Sequence, residues 1–483
     1  MPYLQGIILL LLFSGLTYFL LRAVFQEQYT TARRAIIVLA ILLRIFMAGD
    51  LFLHDWDERF HAVIAKDIWE NPFNPQLYQD QVLTYRSDNW TKTQLWLNKP
   101  FLPFWLLGAS ISVFGPNELG LRLPSILIGV LSVWLTFRIG RVLLDQKTAI
   151  VAAFLHAIHG MTLEFCGGLI SSDHVDNLFT FLFQLSILSY LRFFQAQRRW
   201  WLLVTGLTIG LAFLTKWIMA TFILGVVGVV HLLQQEKRRI SRSEMALLVF
   251  VTTLFIAPYL VYLFVYHPIE ASHTFGQFFG RVNSAFEGHG GGPFAYLEDT
   301  VIIFGLGTLL AIGHVALNWK DKKGLSATLL LVWALMPPLL LSFLTTKRNT
   351  YLEMSAPAFF LLTAVLVVHL SKSANLLWGK RWLNVGLVVL LLGLPVQYSL
   401  ERITPFRPRL VQPEWRYPLA ELQKAQSKQK RKFVLSGEPH FMEAIFYYDL
   451  LSYENSLTAG DVAKFKAEGY LVYEWWEGKY LLR

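Results

Sequence analysis

The chain reads as an all-α polytopic membrane protein carrying a small α/β domain at its C-terminal end, and three observations lead there. It is 54% hydrophobic and only 16% charged over 483 residues, too little charge to cover a water-facing surface of that size. Apolar runs such as 7–21, 246–264 and 382–396 recur, each about as long as a helix that crosses the ~30 Å hydrocarbon core. From about Thr404 the composition turns to Lys, Glu and Gln, as a soluble segment requires. Membrane strands would read as short alternating segments, which the chain lacks, so spans that satisfy their own backbone groups are expected to be helices.

Taken in order, spans are expected near 4–24, 35–53, 123–143, 148–168, 174–193, 200–215, 217–233, 245–266, 297–317, 325–344, 351–370 and 383–400, about twelve in all. The first has neither a basic leading region nor a small-residue cleavage site and is expected to stay as a helix. The net charge of +10 does not imply a nucleic-acid partner, because the basic residues form short clusters between apolar runs. Alternate connections carry Arg33 and Arg34, Arg138 and Arg141, Arg198 and Arg199, Lys237 to Arg239, Lys322 and Lys323, and Lys380 and Arg381. The positive-inside rule places these in the cytoplasm. The loop 54–122, the loop 267–296, the Lys347 turn and the tail then face outward. The expected division is a membrane domain over 1–403 and an extracytoplasmic domain over 404–483.

Two stretches of the first outer loop are expected to lie in the membrane interface. Phe101 to Phe114 is apolar but too short to cross, and 57–70 repeats Phe60, Val63, Ile64 and Ile68 at helical spacing. In the tail, Phe433 to Ser436 and Tyr470 to Trp475 read as strands, and Phe441 to Leu450 and Asp461 to Glu468 as helices. None of these helices opens on a glycine-rich nucleotide loop. The single Cys166 excludes an intramolecular disulfide and a multi-cysteine metal site.

The chemistry concentrates outside. His54-Asp55-Trp56-Asp57-Glu58-Arg59-Phe60-His61 sets carboxylates and imidazoles just beyond the second span. A carboxylate partly shielded there suits a general base acting on a hydroxyl, and it equally suits the positive end of a helix. Asp173 and Asp176 repeat the pattern at the outer end of another span, where Asp173 is also a natural helix cap and where both acidic sites have the option of sharing one cavity. Lys99, Arg281 and Lys347 stand in outward loops beside apolar segments, placed to neutralise a phosphate at the surface or to meet anionic headgroups. Tyr351, close after Lys347, offers a phenolic hydrogen bond. His267, His273 and His289 share one outer loop whose run Gly290-Gly291-Gly292 suits a movable flap. Carboxylate and imidazole together leave a divalent metal open, although no helical His-x-x-x-His spacing is present.

These residues resemble the C-type superfamily of membrane glycosyltransferases, in the branch of the protein O-mannosyltransferases and the bacterial aminoarabinose transferases. The likeness runs from about 50 to 370. Asp57-Glu58 matches the acidic pair that opens the family's first outer loop, and Lys99-Pro100 with Phe101 to Phe114 matches its Lys-Pro and aromatic helix. Arg122-Leu123-Pro124-Ser125, Asp173, Leu214-Thr215-Lys216, Arg281 and the Lys347 to Tyr351 turn follow in family order. The resemblance implies transfer of a sugar, with inversion, from a polyprenyl phosphate to an acceptor hydroxyl on a glycolipid, polysaccharide or protein. It implies Asp57 as base, Glu58 and Asp173 as support for it or for the acceptor, and Lys99, Arg281, Lys347 and Tyr351 as holders of the departing lipid phosphate; apart from the resemblance, His61 and His289 are candidate acceptor or flap residues. It implies a bacterial inner membrane with the active site outside. Asn98 and Phe278 stand where aminoarabinose transferases have Glu and His, which weakens the case for a metal by that route and for aminoarabinose as the sugar. A transporter or flippase is the rival class, expected to show broken helices at mid-membrane and internal repeats.

Overall fold

The structure is a computed structural model that describes all residues except 1, 79–81, 84–92, 171–172, 234–239, 281–282, 286–287, 319–323 and 378–380; residues 2, 372–377, 381–385, 387–388 and 390 are described by backbone alone. Two compact units emerge. One comprises 1–48, 125–167 and 172–408, the other 49–124, 168–171 and 409–483. The first outer loop thus clusters with the tail, whereas the sequence places it with the spans. The reason is side-chain chemistry: the loop packs its apolar helix face and its charges on tail residues, as described below.

The larger unit is helical. Among the described residues, Tyr3–Phe25, Glu118–Leu143, His174–Ala196, Trp200–Leu233 and Arg242–Tyr266 are long and apolar enough to cross a membrane. Two further pairs qualify as broken spans: Gln146–Ile158 with Gly160–Gly167, bent by 51°, and Ala295–Phe304 with Leu306–Leu317, bent by 107°. The first break falls at His159, whose backbone is extended. The second falls at Gly305, at φ +84°, where a Cβ would meet Pro395 Cδ at 2.7 Å, so only glycine serves. A helix cut there leaves carbonyls without their normal partners, and His159 Nε2 lies 3.1 Å from the Ile303 oxygen. Small residues let helices approach closely: Ala32, Ala35 and Ala40 of the Tyr29–Met47 helix pack with Val133, Phe137, Ala149 and Ala153. Cys166 is fully buried in Gly160–Gly167.

The smaller unit holds a four-stranded sheet in the order β2-β1-β3-β4, with β1 Phe433–Ser436, β2 Leu451–Tyr453, β3 Leu471–Trp476 and β4 Lys479–Leu482. β1 runs parallel to β2 and β3, and β4 is antiparallel to β3. Alternation along β1 sends Phe433 and Leu435 to one core with Leu419, Ala444 and Leu450, and Val434 to another with Leu457, Val462 and Phe465. Sheet and helices therefore form a layered α/β fold. Ala459–Ala467 begins with a capping box between Thr458 and Asp461.

Both expected interfacial stretches are helices, Asp57–Ile68 and Leu102–Phe114. The first packs Phe60 on Phe441, with ring centroids 6.4 Å apart. Lys66 Nζ donates to the carbonyls of Ile445 (2.8 Å) and Phe446 (2.9 Å) and pairs with Asp449. A cation thus closes the C-terminal end of Phe441–Tyr448, where carbonyls lack helical partners.

Candidate active site

In the smaller unit, the turn before the Asp57–Ile68 helix rests on buried charge. Glu58 is wholly buried and accepts from Arg122 Nε at 2.7 Å and Nη2 at 3.0 Å. It also accepts from the His54 backbone N–H at 2.6 Å. Planar two-point pairing of this kind fixes orientation as well as charge. Arg122 donates further to the carbonyls of Asp50 and Phe52. Asp50 is held by Arg409 at 2.9 Å and lies 3.1 Å from His54 Nε2. Glu118 accepts from the Phe52 N–H at 2.7 Å and from the Tyr447 hydroxyl at 2.9 Å. Gly168, at φ +67°, leaves room for Glu58: a Cβ there would stand 2.6 Å from Oε1.

That scaffold sets Asp57 as the first residue of its helix, half-buried, directly after Trp56 at φ +69°. A non-glycine residue in that region is strained and is held by its surroundings. Burial works against charge on the neighbouring His54 ring, but the Glu58 carboxylate and hydrogen bonds to Asp50 and Glu58 outweigh it and raise its pKa above the ordinary 6.5. Lys99 is half-buried and has no ion pair among the described residues. His61, expected near an acceptor or flap, is instead buried at 1% exposure, its ring centroid 5.6 Å from that of Trp96 and 5.3 Å from that of Phe104. Helical spacing alone does not distinguish the two fates; here His61 follows the apolar face of its helix.

In the larger unit, Asp173 is fully buried and caps His174–Ala196, accepting from the Val175 N–H at 3.1 Å while its own N–H donates to Asp176 at 3.1 Å. Asp176 in turn pairs with Lys216, which also pairs with Glu353. All three are buried, and Lys216 Nζ lies 5.2 Å from the Tyr351 ring centroid and 5.5 Å from that of Phe179. Tyr351 and Glu353 sit on a 3-10 turn, Asn349–Met354, anchored by Trp333 Nε1 on the Met354 carbonyl at 2.6 Å and by Ser355 Oγ on the Trp333 carbonyl at 3.1 Å. Lys347 and His289 come together through backbone, the Lys347 N–H donating to the His289 carbonyl at 2.9 Å. The Lys347 ammonium donates to the Leu344 carbonyl at 2.7 Å and has no carboxylate partner among the described residues. Arg281 lies outside the described residues.

Sequence reasoning missed Glu353 and the pairing of Arg122 with Glu58. No local pattern reports either, although a charged residue inside an apolar run is itself a sign that a partner is near. Among the described residues no three His, Cys, Asp or Glu side chains stand together as a metal site requires.

Residues 98–262 match the family described as dolichyl-phosphate-mannose-protein mannosyltransferase. An undecaprenyl phosphate-alpha-4-amino-4-deoxy-L-arabinose arabinosyl transferase of Pseudomonas paraeruginosa is 27% identical over 352 residues, covering 67% of this chain and 62% of its own length. The chain thus matches less than two thirds of such relatives. In fold, it is similar to the crystal structure of ArnT from Cupriavidus metallidurans bound to undecaprenyl phosphate, with a TM-score of 0.60, 16% identity and coverage of 89% and 87% of the two chains. The oligosaccharyltransferase AglB of Archaeoglobus fulgidus, in complex with an inhibitory peptide and a dolichol-phosphate, gives 0.59, 13% identity and coverage of 91% and 69%. By sequence and fold together, this multi-pass membrane protein is similar to the C-type glycosyltransferases of the protein O-mannosyltransferase and aminoarabinose transferase branch and carries their membrane fold.

Proposed function

We propose that the chain is an inverting glycosyltransferase that moves a sugar from a polyprenyl phosphate to an acceptor hydroxyl of a glycolipid, glycan or protein. The observation that carries this is the contrast in burial within the acidic pair: Glu58 is wholly buried against Arg122 and the His54 N–H, while Asp57 heads the helix at a half-buried position. As the acceptor oxygen bonds to the anomeric carbon, Asp57 takes its proton, and the bond from that carbon to the phosphate oxygen breaks. Charge then gathers on the lipid phosphate, where Lys99, Arg281, Lys347 and Tyr351 are the proposed holders. Two of these, Lys99 and Lys347, lack a carboxylate partner among the described residues, as a phosphate-binding cation should. Asp173 organises the helix end that carries Asp176 and thereby Lys216. About twelve crossings of a bacterial inner membrane, with the first loop and 404–483 outside, complete the proposal, supported by the distribution of basic residues.

The two broken helices are a mark of the transporter alternative. Their breaks, however, border a cavity of about 100 Å³ lined mainly by apolar side chains, among them Phe154, Phe304, Phe360 and Leu392, with no carboxylate, lysine or arginine among its described lining residues to hold an ion. Asp57→Asn tests the transferase reading in nanodiscs with a panel of polyprenyl-phosphate sugars and a membrane extract as acceptor. Loss of transfer by about 100-fold or more, with unchanged thermal unfolding, is the expected result. Undiminished transfer removes Asp57 from the mechanism.

A further inference from the structure

The turn that presents Asp57 leans on an imidazole whose nitrogens face different charges. His54 Nε2 lies 3.1 Å from Asp50 Oδ2, whereas Nδ1 lies 3.1 Å from Arg122 Nη2 and 2.8 Å from Glu58 Oε2. A guanidinium only donates and an ionised carboxylate only accepts. Nδ1 therefore has two partners that it cannot satisfy at once. Without a proton it accepts from Arg122; with one it donates to Glu58. Nε2–H serves Asp50 in both states.

We propose that His54 is a positioning residue for Asp57, its protonation transferring Nδ1 from Arg122 to Glu58 and so clamping the His54-Asp55-Trp56-Asp57 turn. The effect on turnover rests on the transferase reading; the exchange of partners does not. Glu58 already closes this turn through the His54 backbone N–H. The protonated ring adds a second, charge-assisted bond from the same residue to the same carboxylate, across a turn whose Trp56 is strained. Arg122 loses one acceptor in the exchange and keeps Glu58 and the carbonyls of Asp50 and Phe52. The proton comes from solvent, and His54 retains 12% side-chain exposure.

The groups that bear on the ring are few among the described residues. Asp50, Glu58 and Arg122 touch it; Arg409 acts through Asp50, and Glu118 and Tyr447 act through the Phe52 N–H. The carboxylates favour the charged ring, and Arg122 and burial oppose it. Because the folded pKa is raised, the stabilisation is complete below the unfolded value of about 6.5 and disappears as pH rises through the folded value.

His54→Gln keeps a polar side chain at this place and does not titrate. Purified wild type and H54Q are compared from about pH 5.5 to about pH 8.5, by thermal unfolding and by sugar transfer. The expected result is a Tm advantage of wild type that shrinks as pH rises past 6.5. Over the same interval wild-type kcat falls about fivefold, the worth of one hydrogen bond, while donor KM holds and H54Q stays flat. Equal Tm slopes overturn the proposal. Different Tm slopes with parallel kcat profiles also overturn it, because His54 then titrates without positioning Asp57. Absence of transfer from both proteins counts against the transferase reading, while the Tm slopes still decide the exchange. Should H54Q not fold, Asp50→Asn weakens the acceptor at Nε2, and the alkaline loss of Tm is expected to begin at lower pH than in wild type; an unmoved onset overturns the proposal.

Discussion

The two buried charge clusters solve the same problem in opposite ways. Around Glu58 the carboxylate is met by a rigid guanidinium and a backbone N–H, so each oxygen has a directional donor. Around Lys216 a single flexible ammonium serves Asp176 and Glu353 together. The first arrangement fixes geometry; the second balances charge while leaving the cation dependent on two acids. Removing one partner of a buried pair costs more than the pair contributes, since the remaining charge stays buried.

The comparison breaks most sharply at Lys216. Lys216→Met leaves two acids without their shared cation, and a loss at the top of the range of about 3–5 kcal/mol is expected, read as a fall in Tm or as failure to purify in folded form. A smaller loss, about 3 kcal/mol, is expected for Arg122→Met, because Glu58 keeps the His54 N–H and gains the freedom to take a proton. If Arg122→Met proves the costlier, directional bonding outweighs charge balance. The finest test is Gly168→Ala. It asks a Cβ to share space with Glu58 Oε1 in a left-handed conformation, at an expected cost of about 1–2 kcal/mol. That cost should shrink to the backbone strain alone in an Arg122→Met background, where Glu58 is free to move; additive losses would show that Gly168 acts through its backbone alone.

Much of this fold is legible in the residues, and the illegible parts share a cause. Asp57–Ile68 and Leu102–Phe114 follow from apolar spacing, and β1 from a run of four buried residues. β2, three residues long, and β4, at the sheet edge, are too short to show a period. The bends at His159 and Gly305 interrupt apolar runs without interrupting apolarity, so hydropathy passes over them. Asp57, Glu58 and Asp173 stand out as acids at the ends of apolar segments. The distant pairings of the two charge clusters do not, because Arg122 lies 64 residues from Glu58 and Glu353 lies 137 from Lys216. Pairing at such range is a product of the packed helices and leaves no local trace.

The buried Cys166 has a practical corollary. A thiol reagent added to the folded chain should find nothing to modify, which makes the natural protein its own silent background for single-cysteine labelling at any chosen site. The same thiol becomes a clock when the helix around it opens, since alkylation at that one atom then records the opening rate with no engineered probe.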